Sequence, residues 1–371
     1  MIDLKCLILF FFILVQNTFG QVNNLNEKYL LDNRLNESSG IIFYNNRIIS
    51  HNDSGNPPYL YEMDSISNTI LRTIHIINAN NNDWEAIAQD NNYIYVGDFG
   101  NNRGNRTDLK IYRVSKNNYN NSISVQADII NFSYENQTDF SVNNQTNFDA
   151  EAMIIKQNSI WIFTKNHGDL RTNVYEIPKT PGNYIAHLIY TFDVNCLITA
   201  ASYNQASNVL LLIGYDYNLY PYIISISDFI NGTPSINRMQ ILQQGVQIEG
   251  LTQIGGNHYF ITNELFDYQS FHYPAKLFSF DYDFSNSSIV LYNENNTAIL
   301  YPNPSRGNIM INFEDNFSGN VIVYSQIGKL LARYKIVEQK NFNLKILKKG
   351  IYFIKISNTN EQIKYIKCII Q

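Results

Sequence analysis

Short apolar runs separated by polar turns recur along most of the chain. Between residues 27 and 292 many of these runs alternate apolar and polar positions, and almost none shows the spacing of an amphipathic helix. Glycine, asparagine and serine punctuate the runs, as is typical of strands joined by tight turns. The pattern therefore predicts an all-β fold for this part of the chain.

The runs group into a repeat of four. The units begin near residues 39, 85, 151, 200 and 249, the fourth of them with Thr199-Ala200-Ala201. Four-stranded units repeated at roughly this interval are typical of a β-propeller, in which each unit is one blade. We predict five blades, the last closed by a strand at 288–291. The gap between 85 and 151, and the apolar Tyr29-Leu30-Leu31, leave room for a sixth; an array of β-sandwiches is the alternative fold.

A change of composition divides the chain near residue 293. A polar stretch at 293–298 reads as a linker, and residues 299–371 carry six further apolar runs separated by turn residues. This spacing predicts a small immunoglobulin-like β-sandwich. We place the propeller at 21–292 and the second domain at 299–371.

The first twenty residues have the composition of a secretory signal peptide. Lys5 precedes the apolar run from Cys6 to Val15, and Thr18-Phe19-Gly20 offers small residues for cleavage before Gln21. No later stretch is long and apolar enough for a transmembrane helix. We therefore expect a secreted or cell-surface protein with no transmembrane segment after processing.

The charge and the cysteine content argue against a nucleic-acid-binding protein and against a fold stabilised by disulfides. The formal net charge is -5, and the sequence has no clustered basic stretch of the kind that binds nucleic acid. Cys196 and Cys368 are the cysteines that remain beyond residue 20, so no disulfide framework is expected. Burial of apolar surface must stabilise the fold, and we expect a monomer.

Acidic residues recur where neighbouring strands of a blade begin and end. The first strand of a blade lines the central channel and the second runs antiparallel to it, so these positions meet at one channel mouth. The predicted mouth carboxylates are Glu37, Asp53, Glu85, Asp98, Glu151, Asp216, Glu249 and Glu264. His51 and Lys165 are the candidate counter-charges at the same mouth.

Converging carboxylates require protons, a counter-charge or a cation. Calcium is a candidate cofactor, because it takes carboxylate and amide oxygens as ligands. Ion pairs with Lys165 are a second solution. A third is architectural: each glutamate at a strand start accepts hydrogen bonds from backbone amides of the next blade and locks it in place.

The C-terminal domain resembles a known secretion signal. Its motif is Tyr301, Pro302, Asn303, Pro304 and Gly307, followed by a Gly328-Lys329 hairpin and by Gly350-Ile351-Tyr352. Residues 299–371 thus look like the type A C-terminal sorting domain of the Bacteroidota type IX secretion system. The resemblance implies that the type IX machinery is a partner. It also implies passage across the outer membrane and removal of the domain, with release or surface attachment.

The body resembles secreted Bacteroidota propeller proteins, most of them uncharacterised, that are distantly similar to phytase-like and paraoxonase-like propellers. The motifs are His51-Asn52-Asp53-Ser54-Gly55, Asp83-Trp84-Glu85-Ala86, Gly97-Asp98-Phe99-Gly100, Phe148-Asp149-Ala150-Glu151 and Phe163-Thr164-Lys165-Asn166. That family often carries an aspartate in the fourth unit, where this chain has Ala200-Ala201-Ser202-Tyr203. The departure removes one mouth acid and puts a transferred metal site in doubt.

Three functional hypotheses follow. The first is a secreted propeller that binds a small ligand, a glycan or a cation at the acidic mouth. The second is a calcium-dependent esterase, lactonase or phosphatase, with His51, Glu85 and Lys165 as the candidate catalytic residues. The third is a structural or adhesive surface protein without a small-molecule site.

Overall fold

The structure, a computed structural model, describes residues 21–370 apart from 231–232, 269–270, 285–297, 304, 326–328, 347 and 359–362. The predicted signal peptide at 1–20, the predicted strand at 288–291, Pro304 and most of the predicted linker lie outside the described residues. The chain divides into two compact units, one of which is Gln21–Phe284, and the C-terminal strands belong to the other. Each unit is described by itself.

The described residues of the larger unit include five groups of four hydrogen-bonded strands, here called blades 1 to 5. Blade 1 consists of Ser38–Tyr44, Arg47–Asn52, Tyr59–Asp64 and Ile70–Ile76. Blade 2 consists of Trp84–Gln89, Tyr93–Asp98, Lys110–Ser115 and Asp128–Tyr134. Blade 3 consists of Ala150–Lys156, Ser159–Thr164, Thr172–Pro178 and Gly182–Phe192. Blade 4 consists of Leu197–Asn204, Val209–Tyr215, Pro221–Ser227 and Ser235–Gln240.

Blade 5 joins the two ends of the ring. Its strands are Ile248–Gly255, His258–Asn263, Lys276–Asp283 and, as the outer strand, Gln21–Leu30 from the start of the described chain. Tyr29 and Leu30, at which the sequence allowed a sixth blade, are thus the last two residues of the outer strand of blade 5. This N-terminal strand is hydrogen-bonded to Lys276–Asp283, near the end of the same unit, so hydrogen bonds close the ring.

The first strands of the five blades contact one another in a closed circle. Each packs against the first strand of the next blade, and that of blade 5 returns to that of blade 1. Five apolar clusters fill the spaces between neighbouring blades, one for each pair. Cys196 lies fully buried in the cluster between blades 3 and 4. This arrangement is a β-propeller, as the repeat predicts, and a closed ring of this kind is not a sandwich array.

Two small elements lie between the third and fourth strands of blade 2 and account for part of the long interval between residues 85 and 151. They are the helix Lys116–Asn121 and the strand Ser124–Val125, which pairs in parallel with Ile70–Ile76 of blade 1. The outer strands of blades 2 and 3 also pair in parallel, through 130–134 and 182–186, so these two blades form one eight-stranded sheet. Elsewhere a 3₁₀ helix spans Asn33–Leu35, and Phe266–Tyr268 pairs with Phe271–Tyr273.

The C-terminal strands form one five-stranded sheet. They are Ala298–Tyr301, Asn308–Ser325, Leu330–Lys345, Gly350–Asn358 and Ile363–Ile370. Asn308–Ser325 is a long, bulged strand that pairs with three of the others. The prediction of six separate strands is therefore wrong in detail, because four apolar runs join into two long strands. The region is all-β and sandwich-like, as predicted, with its own apolar core.

Candidate functional site

Every first strand of the propeller carries one β-bulge at the same place. In each blade the register with the second strand shifts by one residue near the start of the first strand. The bulged residues are Ser39, Glu85, Glu151, Thr199 and Glu249. A bulge re-aims a side chain away from the regular pleat, and such bulges are frequent beside functional sites. In blade 4 the bulged residue is Thr199, within the run Thr199-Ala200-Ala201 that marks the fourth unit in the sequence.

The second strands bring a second set of side chains to the same end of the ring. In each blade a residue at or next to the end of the second strand pairs with the residue just before the bulge, and the chain then continues towards the mouth. The residues that follow these paired positions are Asp53, Phe99, Lys165, Tyr215 and Glu264. Backbone hydrogen bonds fix several of these positions: the amide of Lys165 donates to the carbonyl of Asp149 at 2.7 Å, and that of Glu264 to Gln247 at 3.1 Å.

A polar cavity of about 230 Å³ occupies this end of the ring. Its lining residues are Ser39, Asp53, Glu85, Asn102, Glu151, Lys165, Tyr215, Gln247, Glu249 and Glu264. Below the three bulged glutamates the channel narrows to a space of about 10 Å³, lined mainly by small and apolar residues such as Gly40, Ala86 and Ala200. The three glutamates therefore lie between this narrow space and the wider cavity, hereafter the axial pocket.

A buried ion pair lies on one side of the axial pocket. Lys165 Nζ is 2.9 Å from Glu151 Oε1, and both side chains are less than a tenth exposed. Burial alone would lower the pKa of Lys165, but Glu151, Tyr215 and Glu249 raise it well above its usual value. Burial raises the pKa of Glu151 to about 8, although Lys165 and a hydrogen bond with Glu85 both lower it. Glu85 and Glu151 therefore form a pair of hydrogen-bonded carboxyl groups.

A second group of carboxylates lies on the other side of Glu85. One oxygen each of Asp53, Asp83 and Glu85 lies within 4.8 Å of the other two, close enough to share one metal ion. Burial raises the pKa of Asp83 to about 7, with Asp53 and Asp149 adding to the shift. Burial, followed by Glu151 and Asp53, raises the pKa of Glu85 well above its usual value. Too little positive charge lies beside these acids to keep all of them ionised at neutral pH.

Gly100 brings the backbone of blade 2 against these carboxylates. A Cβ at this position would lie 2.4 Å from Glu85 Oε1 and 2.5 Å from Asp83 Oδ2. The amides of Phe99 and Gly100 both donate to the carbonyl of Asp83 at 3.1 Å. Glycine is therefore required for the loop to approach both acids.

The bulged residues that are not acidic tie neighbouring blades together. Ser39 Oγ donates to the carbonyl of Glu85 at 3.0 Å, and Thr199 Oγ1 donates to that of Ile248 at 2.6 Å. The hydrogen bonds given to the carboxylates of Glu85 and Glu151 come from side chains in the described residues, and none comes from a backbone amide. Blades 1 and 4 are thus each bound to a neighbouring blade by the hydroxyl of the bulged residue.

Four of the residues predicted at the mouth lie outside the axial pocket. His51 is fully buried against Trp84, and burial lowers its pKa to about 4, so it is a neutral core residue. Asp98 is buried in an ion pair with Arg106 at 2.9 Å. The carboxylate of Asp216 accepts backbone hydrogen bonds within its own turn, from Asn218 and Tyr220. Glu37 is exposed and accepts a hydrogen bond from Asn56.

Five residues in or beside the axial pocket were not among the predicted site residues. Asn102, Tyr215 and Gln247 line the axial pocket, and Asp83 and Asp149 lie beside it. A signal for the two aspartates was present, since each precedes a bulged glutamate by two residues in the repeated pattern Asp-x-Glu. Asp149 is fully buried and accepts hydrogen bonds from the amide of Asn101 at 2.5 Å and from His167 Nε2 at 2.8 Å.

The chain is thus a β-propeller with an acidic axial pocket, followed by a separate all-β region. Residues 299–371 match the family described as Secretion system C-terminal sorting domain, as the motif beginning at Tyr301 predicts. The protein is accordingly a secreted or cell-surface protein that uses the type IX secretion machinery. No helix among the described residues is long and apolar enough to cross a membrane.

No curated protein matches this chain in sequence. Among solved structures, a variant of exo-β-1,3-galactanase from Phanerochaete chrysosporium with β-1,3-galactotriose is 11% identical. Its TM-score is 0.45, and the match covers 94% of this chain and 100% of that one. The PQQ-bound aldose sugar dehydrogenase from Streptomyces coelicolor is 8% identical with a TM-score of 0.43, covering 71% of this chain and 98% of that one. Similarity at this level says nothing about the substrate of this protein.

Proposed function

We propose that the axial pocket binds a divalent cation, with Asp53, Asp83 and Glu85 as its protein ligands, and that the secreted propeller binds a small ligand or glycan there. The observation that carries the proposal is the convergence of three carboxylate oxygens within 4.8 Å at the edge of a polar cavity. Carboxylate oxygens are the ligands that calcium prefers, and calcium tolerates an irregular ligand geometry. Calcium is therefore the first cation to test.

The raised pKa values support this proposal. Burial raises the pKa of Asp83 to about 7, and burial and neighbouring acids raise that of Glu85 well above its usual value. Without a cation these groups keep protons that a carboxylate in water would lose. A bound cation would favour the ionised form and replace those protons, so cation binding should strengthen as the pH rises.

The test is calcium titration of chelator-treated chain 21–371 by calorimetry. The account expects one bound calcium per chain and a loss of at least about tenfold in affinity in both Asp83→Asn and Glu85→Gln. Glu37→Gln serves as the control, because that acid is exposed and lies outside the pocket. Equal calcium affinity in all four proteins would refute the site.

The alternative of blade locking makes a different prediction. If Glu85 and Glu249 serve only to hold blades together, Glu85→Gln and Glu249→Gln lower the melting temperature equally with and without calcium. Under the cation account, calcium raises the melting temperature of the unmodified chain and much less that of Glu85→Gln. Melting curves with calcium and with chelator distinguish the two.

A calcium-dependent hydrolase is the second candidate, and one observation favours it. Burial raises the pKa of Glu151 to about 8, so this carboxyl group, which is hydrogen-bonded to Glu85, can gain or lose a proton near neutral pH beside the candidate cation site. A cation could polarise an ester or phosphoryl oxygen while Glu151 gives its proton to the leaving oxygen. A screen of ester, lactone and phosphate substrates, with and without chelator, tests this. Glu151→Gln should lose turnover while keeping its calcium affinity.

We also propose that residues 1–20 are removed as a signal peptide, that 21–292 is the functional body and that 293–298 links it to the sorting domain. Mass spectrometry of the protein recovered outside the cells tests this division. The account expects an N-terminus at Gln21 and loss of the sorting domain. Recovery of the intact chain would contradict it.

A further inference from the structure

Blades 3 and 5 present the same two positions to the axial pocket with different charges. In blade 3 the bulged Glu151 is paired with Lys165, which follows the second strand. In blade 5 the equivalent residues are Glu249 and Glu264. The backbone hydrogen bonds that set Lys165 and Glu264 are equivalent, so the two hairpins have the same local architecture. Blade 5 therefore places a carboxylate where blade 3 supplies an ammonium.

The Glu249 side chain is largely buried at the wall of the axial pocket, and within the described residues its carboxylate accepts no hydrogen bond. Its residue is only 6% exposed and lines both the axial pocket and the narrow channel below it. No side chain or backbone amide in the described part of the chain donates a hydrogen bond to it. Lys165 is close enough to interact electrostatically, but its ammonium is bound to Glu151. A carboxylate at the wall of such a cavity, with no donor from the protein, is stabilised by a ligand that donates hydrogen bonds to it.

The charge of the axial pocket points to a ligand that is itself positive. Besides Glu249 and Glu264, the carboxyl groups of Asp53, Asp83, Glu85 and Glu151 lie in or beside the cavity, against the single ammonium of Lys165. A divalent cation and Lys165 together balance three of these six carboxyl groups, so a positively charged ligand would be needed before the other three could all lose their protons. The cavity of about 230 Å³ also has room for several non-hydrogen atoms, since one water molecule takes about 30 Å³.

We propose that Glu249, with Glu264 and Gln247 beside it, binds the primary ammonium group of an organic ligand. That ammonium takes the role in blade 5 that the side chain of Lys165 plays in blade 3. It donates hydrogen bonds to the two carboxylates and to the amide oxygen of Gln247. The proposal rests on the same cavity as the cation site but on different residues, so the two can fail separately.

Matched small probes test the chemical class of the ligand. Butylammonium, 1-butanol and glucose are titrated into the chain 21–371 in the presence of calcium, and binding is measured by calorimetry. The account expects butylammonium to bind at least about tenfold more tightly than 1-butanol or glucose. Equal or tighter binding of glucose would overturn the proposal in favour of a neutral polyol. No binding of butylammonium would also overturn it.

Two variants test the position of the ammonium. Glu249→Gln removes the charge and should weaken butylammonium binding at least about tenfold. Glu264→Lys builds the blade 3 arrangement into blade 5, so its own ammonium should abolish binding of the probe. Asp216→Asn is the control, since it removes a carboxylate of blade 4 that lies outside the pocket and accepts backbone hydrogen bonds within its own turn. Melting curves establish that each variant is folded; should Glu249→Gln not fold, Glu264→Lys alone decides.

Calcium affinity separates this proposal from the cation site. Asp83→Asn should lose calcium binding and keep measurable binding of butylammonium, whereas Glu249→Gln should show the reverse. Unchanged calcium affinity in Asp83→Asn, with butylammonium binding lost in Glu249→Gln, would refute the cation site and leave the ammonium site standing. Unchanged butylammonium affinity in both Glu249→Gln and Glu264→Lys would overturn the ammonium site whatever calcium does.

Discussion

Glu85 occupies the central position in the proposed chemistry, because it contacts both halves of the axial pocket. On one side it is hydrogen-bonded to Glu151, and on the other it converges with Asp53 and Asp83. Ser39 Oγ donates to its Oε2 at 3.3 Å, a long bond that gives little compensation for burial. Small changes around this carboxyl should therefore have large effects on ligand binding.

Gly100→Ala tests the geometry around Glu85 without removing any acid. The new Cβ would overlap Glu85 Oε1 and Asp83 Oδ2, so both carboxylates must move. We expect calcium affinity to fall at least about tenfold, measured by calorimetry. Gly256→Ala is the control: its Cβ would meet open space, although its φ of +53° costs stability. Equal calcium affinity in Gly100→Ala and the unmodified chain would contradict the proposed ligand set.

The pH dependence of stability follows from the raised pKa values. Asp83 and Glu264 titrate at about 7 and Glu151 at about 8 in the folded chain, above their values of about 4 in unfolded peptides. Between those limits the folded state holds protons that the unfolded state has lost, so the stability of the cation-free protein falls as the pH rises.

With chelator present, we expect the melting temperature to drop by at least about 5 °C from pH 5 to pH 8. Calcium should reduce the drop, because it stabilises the ionised carboxylates. Glu264→Gln should also reduce it, since one titrating group is removed. A cation-free protein whose melting temperature rises over this range would contradict the assignment of buried, protonated acids.

At the scale of the element, the five bulges decide which side chains reach the axial pocket. A bulge turns one residue of each first strand out of the regular alternation, and three of the five are glutamate. The hydroxyls at the other two bind the backbone of the following blade. The bulge therefore directs a carboxylate into the axial pocket in three blades, and in the other two it directs a hydroxyl to the backbone of the following blade.

Thr199→Val tests the cohesive role. The valine keeps the shape of threonine but leaves the carbonyl of Ile248 without the hydrogen bond at 2.6 Å. We expect a loss of about 1–2 kcal/mol, or roughly 2–8 °C in melting temperature, with calcium affinity unchanged. Thr191→Val is the control, because that hydroxyl bonds an asparagine at an exposed position. No change in melting temperature for Thr199→Val would show that this bond does not hold blades 4 and 5 together.

Much of the sheet structure could be predicted from the sequence, whereas the bulges could not. Alternation and turn residues mark the four strands of a blade, and acids at the strand ends mark the mouth. A bulge adds a single residue to one strand and leaves the apolar pattern almost unchanged. The run Thr199-Ala200-Ala201 therefore marks the fourth unit without showing that Thr199 is the bulged residue. His51 and Asp98 were placed at the mouth because strand order gives the end of a strand but not the direction of its side chains.

At the scale of the whole molecule, the ring is closed by chain segments that lie far apart in sequence. Gln21–Leu30 pairs with Lys276–Asp283 and completes blade 5. Local patterns carry no information about this pairing, which is why the outer strand of blade 5 was assigned to 288–291. The closing strand also holds Lys276 in an ion pair with Glu27 at 2.7 Å.

Deletion of residues 21–30 should destabilise the propeller severely. It would expose the edge of Lys276–Asp283 and uncover the apolar cluster between blades 4 and 5, to which Val22 and Leu25 contribute. We expect a melting temperature at least about 10 °C lower, or insoluble protein. Deletion of residues 298–371 is the control, because that region has a core of its own. An unchanged melting temperature after removal of 21–30 would contradict closure by this strand.

An anomalous diffraction map of crystals grown with manganese, as a detectable substitute for calcium, tests the central claim most directly. The account predicts one strong peak at roughly 2.0–2.6 Å from carboxylate oxygens of Asp53, Asp83 and Glu85. A map with no peak at the axial pocket, or a peak only at acids outside it such as Asp216, would contradict the proposed cation site.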